Sequence, residues 1–165
     1  MAGLHPCEGK IEFKDGTNLH KHPVEFRRRV NYSEAEPLYP GFLTAKDLVR
    51  FVGKAKGANK EQHEYFVEKF GVSEFFEKPC ETFSSGMLKK LSLALAFLGS
   101  PKLIILDEPL ITLDAKARIT LLQIIERYLK EHEVTFLFSS HQAIESQSIA
   151  LSGSFIVSNK TILPC

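Results

Sequence analysis

The chain has 165 residues, 44% hydrophobic and 25% charged, with 21 basic and 20 acidic side chains and a formal net charge of +1. This excludes a disordered or fibrous chain and is enough for one domain with a full core. A balanced charge supplies no global field to draw nucleic acid or a membrane surface. The run Arg27-Arg28-Arg29 reads as a solvated face. Cys7, Cys80 and Cys165 are far apart and form no C-x-x-C pair, which suits free thiols in a reducing cytosol. The start, "MAGLHPCEGK", lacks an apolar stretch of signal-peptide length. No run approaches the roughly 18 apolar residues of a membrane span.

In chain order, "GKIEF" and "KDGTNL" predict two short strands around an Asp15-Gly16 turn. "VNYSE" is a further strand, and "AEPLYPG" a loop punctuated by Pro37 and Pro40. "LTAKDLVRFVGKAKG" then predicts a helix capped by Thr44, with Leu48, Phe51 and Val52 at helical spacing and Gly57 at its end. "NKEQHEYFVEKFGV" predicts a second helix closed by Gly71, and "SEFFEK" a short third one. "SSGMLKK" opens another helix. "KLIILD" is an unbroken apolar run of strand length, as expected of a strand buried on both faces. "AKARITLLQIIERYLKEHE" is a long amphipathic helix, "VTFLFSS" a second buried strand, and a short helix and the pair "SFIVS" and "TILPC" follow. A β-rich start thus leads into a helical insert of about residues 41–98 and then an α/β half with parallel strands.

The α/β half holds the candidate chemistry. "LIILDEP" puts Asp107 and Glu108 at the end of a buried strand, where ligands gather in open α/β sheets. A carboxylate there can hold Mg²⁺ through water, and the next one can orient or deprotonate an attacking water. The plain alternative is a strand that ends in a polar turn at Pro109. His141 closes "FLFSSH", placed either beside the same site or on a surface loop. Ser84, Ser85 and Gly86 precede a helix, where small residues and a helix N-terminus favour an anion; a simple serine cap is the alternative. "HEYFV" at His63 lacks the second histidine of H-E-x-x-H, and His20 and His22 lack further metal ligands.

Order and spacing make the pattern specific. "FSSGMLKKLSLALA" resembles the LSGGQ signature and its helix in ATP-binding cassette (ABC) transporter subunits. "LIILDEP" resembles the Walker B segment with its following glutamate, "ITLD" the D-loop, and "SSH" the switch-histidine loop. The resemblance covers essentially the whole chain. It implies an α/β, P-loop NTPase-like ABC ATPase domain spanning residues 1–165, with the helical signature subdomain at about 41–98. By resemblance Glu108 is the general base, His141 contacts the γ-phosphate and Asp107 helps hold Mg²⁺ through water. Ser84, Ser85, Gly86 and Met87 face ATP bound by a second cassette in a head-to-tail pair, and Asp114 communicates across that pair. The implied cofactors are ATP and Mg²⁺. The implied partners are the second cassette and transmembrane transporter subunits, not nucleic acid. The implied location is cytoplasmic, peripheral on the inner face of the cell membrane through the membrane partner.

Two departures stand out. Ser85 and Met87 replace the usual glycine and glutamine of the signature, a form that some bacterial cassette subunits carry. Ala35, between Glu34 and Glu36, occupies the position of the glutamine that normally contacts Mg²⁺ and water, so one of those glutamates is the candidate substitute. The phosphate loop, G-x-x-x-x-G-K-[ST], is missing. The nearest match, residues 3–11, has one residue too many between its glycines and Ile11 in place of Ser or Thr. The expectation is therefore an N-terminally truncated domain that alone is inactive, its phosphate loop lying upstream or in a partner protein. A non-catalytic fragment lending its signature face to an intact ATPase is the alternative. Cassette ATPases of DNA repair or translation usually have two cassettes or coiled-coil inserts, which this chain lacks. Without the phosphate-loop strand beside it, "VTFLFSS" is expected at an open sheet edge.

Overall fold

Residues 8–141, 151–159 and 161–164 are described by a computed structural model. Its centre is a parallel sheet in the order β1 (Val30–Ser33), β2 (Leu103–Asp107), β3 (Thr135–Ser139). Val30 pairs with Leu103, and Leu103 with Thr135. The middle strand separates two apolar clusters. Ile104 and Leu106 are fully buried in the larger one, while Leu103 and Ile105 pack with Leu19, Phe26 and Val30 in the smaller.

The two N-terminal strands expected from sequence reduce to one antiparallel bridge, Glu12 with Asn18. The Phe13 and Gly16 amides donate to the Thr17 and Phe13 carbonyls at 2.9 Å and the Leu19 amide to the Ile11 carbonyl at 3.0 Å, and side chains add to these. Asp15 accepts from the Thr17 amide at 3.0 Å and pairs with Arg29, and Phe13 packs on Phe26 with ring centroids 5.1 Å apart. Arg29 belongs to a helix that the sequence pattern does not announce, α1 (Pro23–Arg29). Proline is tolerated in its first turn because the N–H there has no intrahelical partner. Phe26 is its one buried residue, so no apolar period is visible.

In α2 (Ala45–Lys56), the Thr44 hydroxyl accepts from the Asp47 amide while the Asp47 carboxylate accepts from the Thr44 amide, a reciprocal cap. Gly57, at φ 70°, ends it. Asn59 caps α3 (Lys60–Lys69) by accepting from the Gln62 amide at 2.9 Å. Instead of a third helix over "SEFFEK", a single 3-10 turn forms at Val72–Phe75. Val72 and Phe75 are buried there, and a second 3-10 turn at Cys80–Thr82 precedes α4 (Ser85–Ala96). After β2, α5 (Ala115–Glu131) is capped by Asp114. Phe97 is the hub of the larger cluster. Its ring stacks on Phe66 and Phe70 at 5.5 and 5.8 Å, meets Tyr128 edge-on at 5.3 Å and reaches Phe136 at 6.1 Å.

Two short strands, β4 (Phe155–Ser158) and β5 (Thr161–Pro164), pair antiparallel. All eight residues are exposed, including Phe155, Ile156, Val157, Ile162 and Leu163. The short helix expected before them falls on residues outside those described. Cys80 is a buried free thiol; Cys7 and Cys165 lie outside the described residues. His63 has its Nε2 buried against Gly53 of α2.

Two outcomes follow from this packing. Gly99 sits at φ 85°, and a Cβ there would meet the Lys56 carbonyl oxygen at 2.5 Å. Gly99→Ala should lower stability by roughly 1–3 kcal/mol, read as a lower denaturation midpoint. The second concerns β3, which is an edge strand among the described residues. The Thr135 amide donates to the Lys102 carbonyl and the Glu108 amide to the Ser139 carbonyl. In a parallel ladder the Leu137 amide therefore points toward β2, and those of Phe136 and Phe138 point away. Amide exchange should be about tenfold or more slower at Leu137 than at Phe136 and Phe138. Equal protection at all three would mean that the edge is covered.

Candidate functional site

The strand end at Asp107 and Glu108 is tied to both neighbouring strands. Asp107 Oδ2 accepts from the Tyr32 hydroxyl of β1 at 3.2 Å, and Oδ1 accepts from the Ser139 hydroxyl of β3. Burial, with the Asp107 carboxylate beside it, pushes the Tyr32 phenol up to about 12, so it stays protonated and donates. Glu108 is buried at φ 43°, a left-handed conformation uncommon for a residue with a side chain. Its amide donates to the Ser139 carbonyl at 3.2 Å and lies 3.3 Å from the Ser139 hydroxyl. Its Oε1 accepts from the His141 backbone amide at 2.6 Å. The structure thus brings Asp107, Glu108 and His141 together, but His141 acts here through its backbone. Its ring is 96% exposed, with Nε2 3.8 Å from the Glu108 carboxylate.

The start of α4 forms a second group. Ser84 caps the helix by accepting from the Met87 amide at 3.2 Å. Ser84 and Ser85 are exposed, whereas Met87 packs partly on the larger core. A Cβ on Gly86 would meet the Thr112 carbonyl oxygen at 3.1 Å, so glycine lets this turn approach the loop after β2. One turn along, Lys90 pairs with Asp114 at 2.6 Å. Asp114 also accepts from the Ala117 amide at 2.8 Å. Lys90, then the Ala117 amide, hold its carboxyl below the usual range.

Lys89 joins the two groups and was not singled out in the sequence. It is fully buried, and its ammonium donates to the carbonyls of Glu34 at 2.6 Å and Asp107 at 2.7 Å, with Ala35 at 3.4 Å. Burial pulls this ammonium down to about 8, against the neighbouring carboxylates of Asp107 and Glu108. The available signal was position: Lys89 lies three and seven residues before Ser92 and Ala96, on one side of an otherwise apolar helix. Tyr32 and Ser139 were also missed, because each reads as an ordinary strand residue. Of the two glutamates beside Ala35, Glu34 lies near enough to Tyr32 to raise its phenol further. Both glutamates are exposed.

The donor set suits a divalent ion that keeps its waters. Asp107 retains lone pairs beyond the two that accept hydrogen bonds. Among the described residues no group of three or more His, Cys, Asp or Glu forms a metal cage. An ion here would take its remaining ligands from water and phosphate, as Mg²⁺ does.

A family model for ABC transporters matches residues 1–111. The chain is 30% identical over 165 residues to the ABC transporter ATP-binding protein NatA of Bacillus subtilis, covering 96% of this chain and 66% of NatA. It is 33% identical over 139 residues to the lantibiotic transport ATP-binding protein SrtF of Streptococcus pyogenes, covering 84% of this chain and 60% of SrtF. A solved structure of an ATP-binding subunit of an ABC transporter superposes with a TM-score of 0.71 at 27% identity, over 77% of this chain and 54% of that one. The chain therefore spans less than two thirds of the length of these relatives. With its parallel sheet, its strand-end carboxylates and these matches, the chain belongs to the ABC transporter family of ATP-binding proteins.

Proposed function

We propose that this chain provides the hydrolytic carboxylate and the signature face of an ATPase subunit that powers transport across a membrane. The observation that carries this reading is the fixing of the Glu108 carboxylate by the His141 amide at 2.6 Å, one residue from an Asp107 held by two hydroxyl donors. Oε1 is occupied by that amide, which leaves Oε2 to take the proton from an attacking water. Asp107 would hold Mg²⁺ through water. Mg²⁺, when bound, neutralises charge on the phosphoryl oxygens. The exposed His141 ring is free to swing toward a terminal phosphate. Ser84, Ser85, Gly86 and Met87 present the N-terminus of α4 to ATP held by a second cassette, and Asp114 senses that partner through Lys90. The 165 residues hold no G-x-x-x-x-G-K-[ST] segment, so the phosphate cradle comes from outside them. Attachment to the inner face of a membrane is through transmembrane subunits; among the described residues no helix is long and apolar enough to cross one.

Two measurements test this. The 165-residue chain titrated with a fluorescent ATP analogue and Mg²⁺ should show no saturable binding at micromolar concentration. Saturation in that range would mean that the chain holds the phosphates itself. In the ATPase assembled with its phosphate loop, Glu108→Gln should cut turnover by about 10²-fold or more while sparing ATP binding, because an amide does not accept the proton. Near-normal hydrolysis would remove Glu108 from the role of base.

A further inference from the structure

The helix that opens with Ser84 and Ser85 is fastened to β1 by a buried row of polar contacts. Asn31 Nδ2 donates to the carbonyls of Ala96 and Leu98, each at 2.8 Å. The hydroxyls of Ser33 and Ser92 are 2.9 Å apart. The row ends at Lys89, whose ammonium reaches the carbonyls of Glu34, Ala35 and Asp107. One cation therefore spans α4, the loop after β1 and the end of β2.

The contact with Asp107 is the informative one. Its carbonyl belongs to the peptide unit whose N–H is that of Glu108. Lys89 holds that peptide by its oxygen at 2.7 Å, and Ser139 holds it by its nitrogen at 3.2 Å. The plane of this peptide sets the φ of Glu108, which stands at 43°. Such a backbone angle persists only where its surroundings over-determine it. The direction of the Glu108 carboxylate thus depends on a clamp of which Lys89 is one jaw. A buried ion is a poor way simply to add stability, since an apolar side chain of similar volume often serves as well. Its distinct property is directional hold on three backbone segments at once.

We propose that Lys89 is a positioning residue that fixes the Asp107–Glu108 peptide and residues 34–36 relative to the signature helix, so that α4 does not shift without moving both. This rests on the reading of Glu108 as the hydrolytic base. The test is Lys89→Met, which keeps the length and removes the charge and donors. In the full chain without nucleotide, amide exchange at residues 34–36 and 38 and at Glu108 should rise about tenfold or more, while Ile124 and Ile125 in the core of α5 change less than about threefold. In the assembled ATPase, kcat should fall about tenfold or more with KM for ATP within about threefold. Unaltered exchange at 34–36, 38 and Glu108, or an equal rise throughout α5, overturns the proposal whether or not ATP is hydrolysed; so does an unchanged kcat. A Glu108→Gln enzyme with near-normal turnover would instead overturn the roles given to the carboxylates, and the exchange result on the Lys89 tie would stand.

Discussion

β2 has a hydrogen-bonded strand on each side and an apolar cluster on each face, and that enclosure constrains everything at its carboxyl end. Ile104 and Leu106 are fully buried along it while Leu103 and Ile105 are half-buried, and its first charged residues emerge where the strand stops. Asp107 and Glu108 do so, and each needs partners because burial without them is costly. Those partners come from both flanking strands. Tyr32 and Ser139 satisfy Asp107, while Ser139 and the His141 amide hold Glu108. The same contacts that solve the burial problem also aim the two carboxylates.

The buried lysine obeys the same logic from the opposite charge. Lys89 brings a cation into a region that contains two carboxylates and several main-chain oxygens. Hydrogen bonds from a charged donor are each worth about 1.5–3 kcal/mol, roughly twice a neutral one, and they offset much of the desolvation. The polar row continues along β1 through Ser33–Ser92 and Asn31. Among the described residues Asn31 Oδ1 has no hydrogen-bond partner. Directional contacts set the register of α4 against β1, which purely apolar packing would leave freer to slide.

What the sequence made legible follows from how local each signal is. Thr44 and Gly57 bracket α2 as read, whereas Asp114, read only through the D-loop resemblance, turns out to cap α5. The strand runs of β2 and β3 are equally local, since four or more apolar residues in sequence have few other uses, but the burial expected of them is not met: Leu103 and Ile105 are half-buried, and no residue of β3 is fully buried. α1 escaped notice because one phenylalanine anchors seven residues, and the N-terminal hairpin is only a bridge and a short turn closed by main-chain bonds and the Asp15–Arg29 pair. Asp107 and Glu108 were visible as strand-end carboxylates, but the groups that orient them were not. Tyr32 lies 75 residues from Asp107 in the chain, and Lys89 lies 55 from Glu34. No window of sequence contains such pairs. A lysine followed by another lysine also reads as surface, although Lys89 is buried and Lys90 is only partly so.

At Ala35, where the resemblance leads one to expect a glutamine, the loop meets the site through main chain. An alanine methyl offers neither donor nor acceptor, so what residue 35 contributes is its carbonyl, 3.4 Å from the Lys89 ammonium. The stronger contact is one residue earlier, at the Glu34 carbonyl. Tyr32, two residues before that, reaches the Asp107 carboxylate from the same segment. The stretch from β1 into its following loop therefore touches Asp107 by two routes, a phenol on the carboxylate and a lysine bridging the carbonyls. The phenol sits on a paired strand and the ammonium is buried, and neither contact uses the side chain of residue 35.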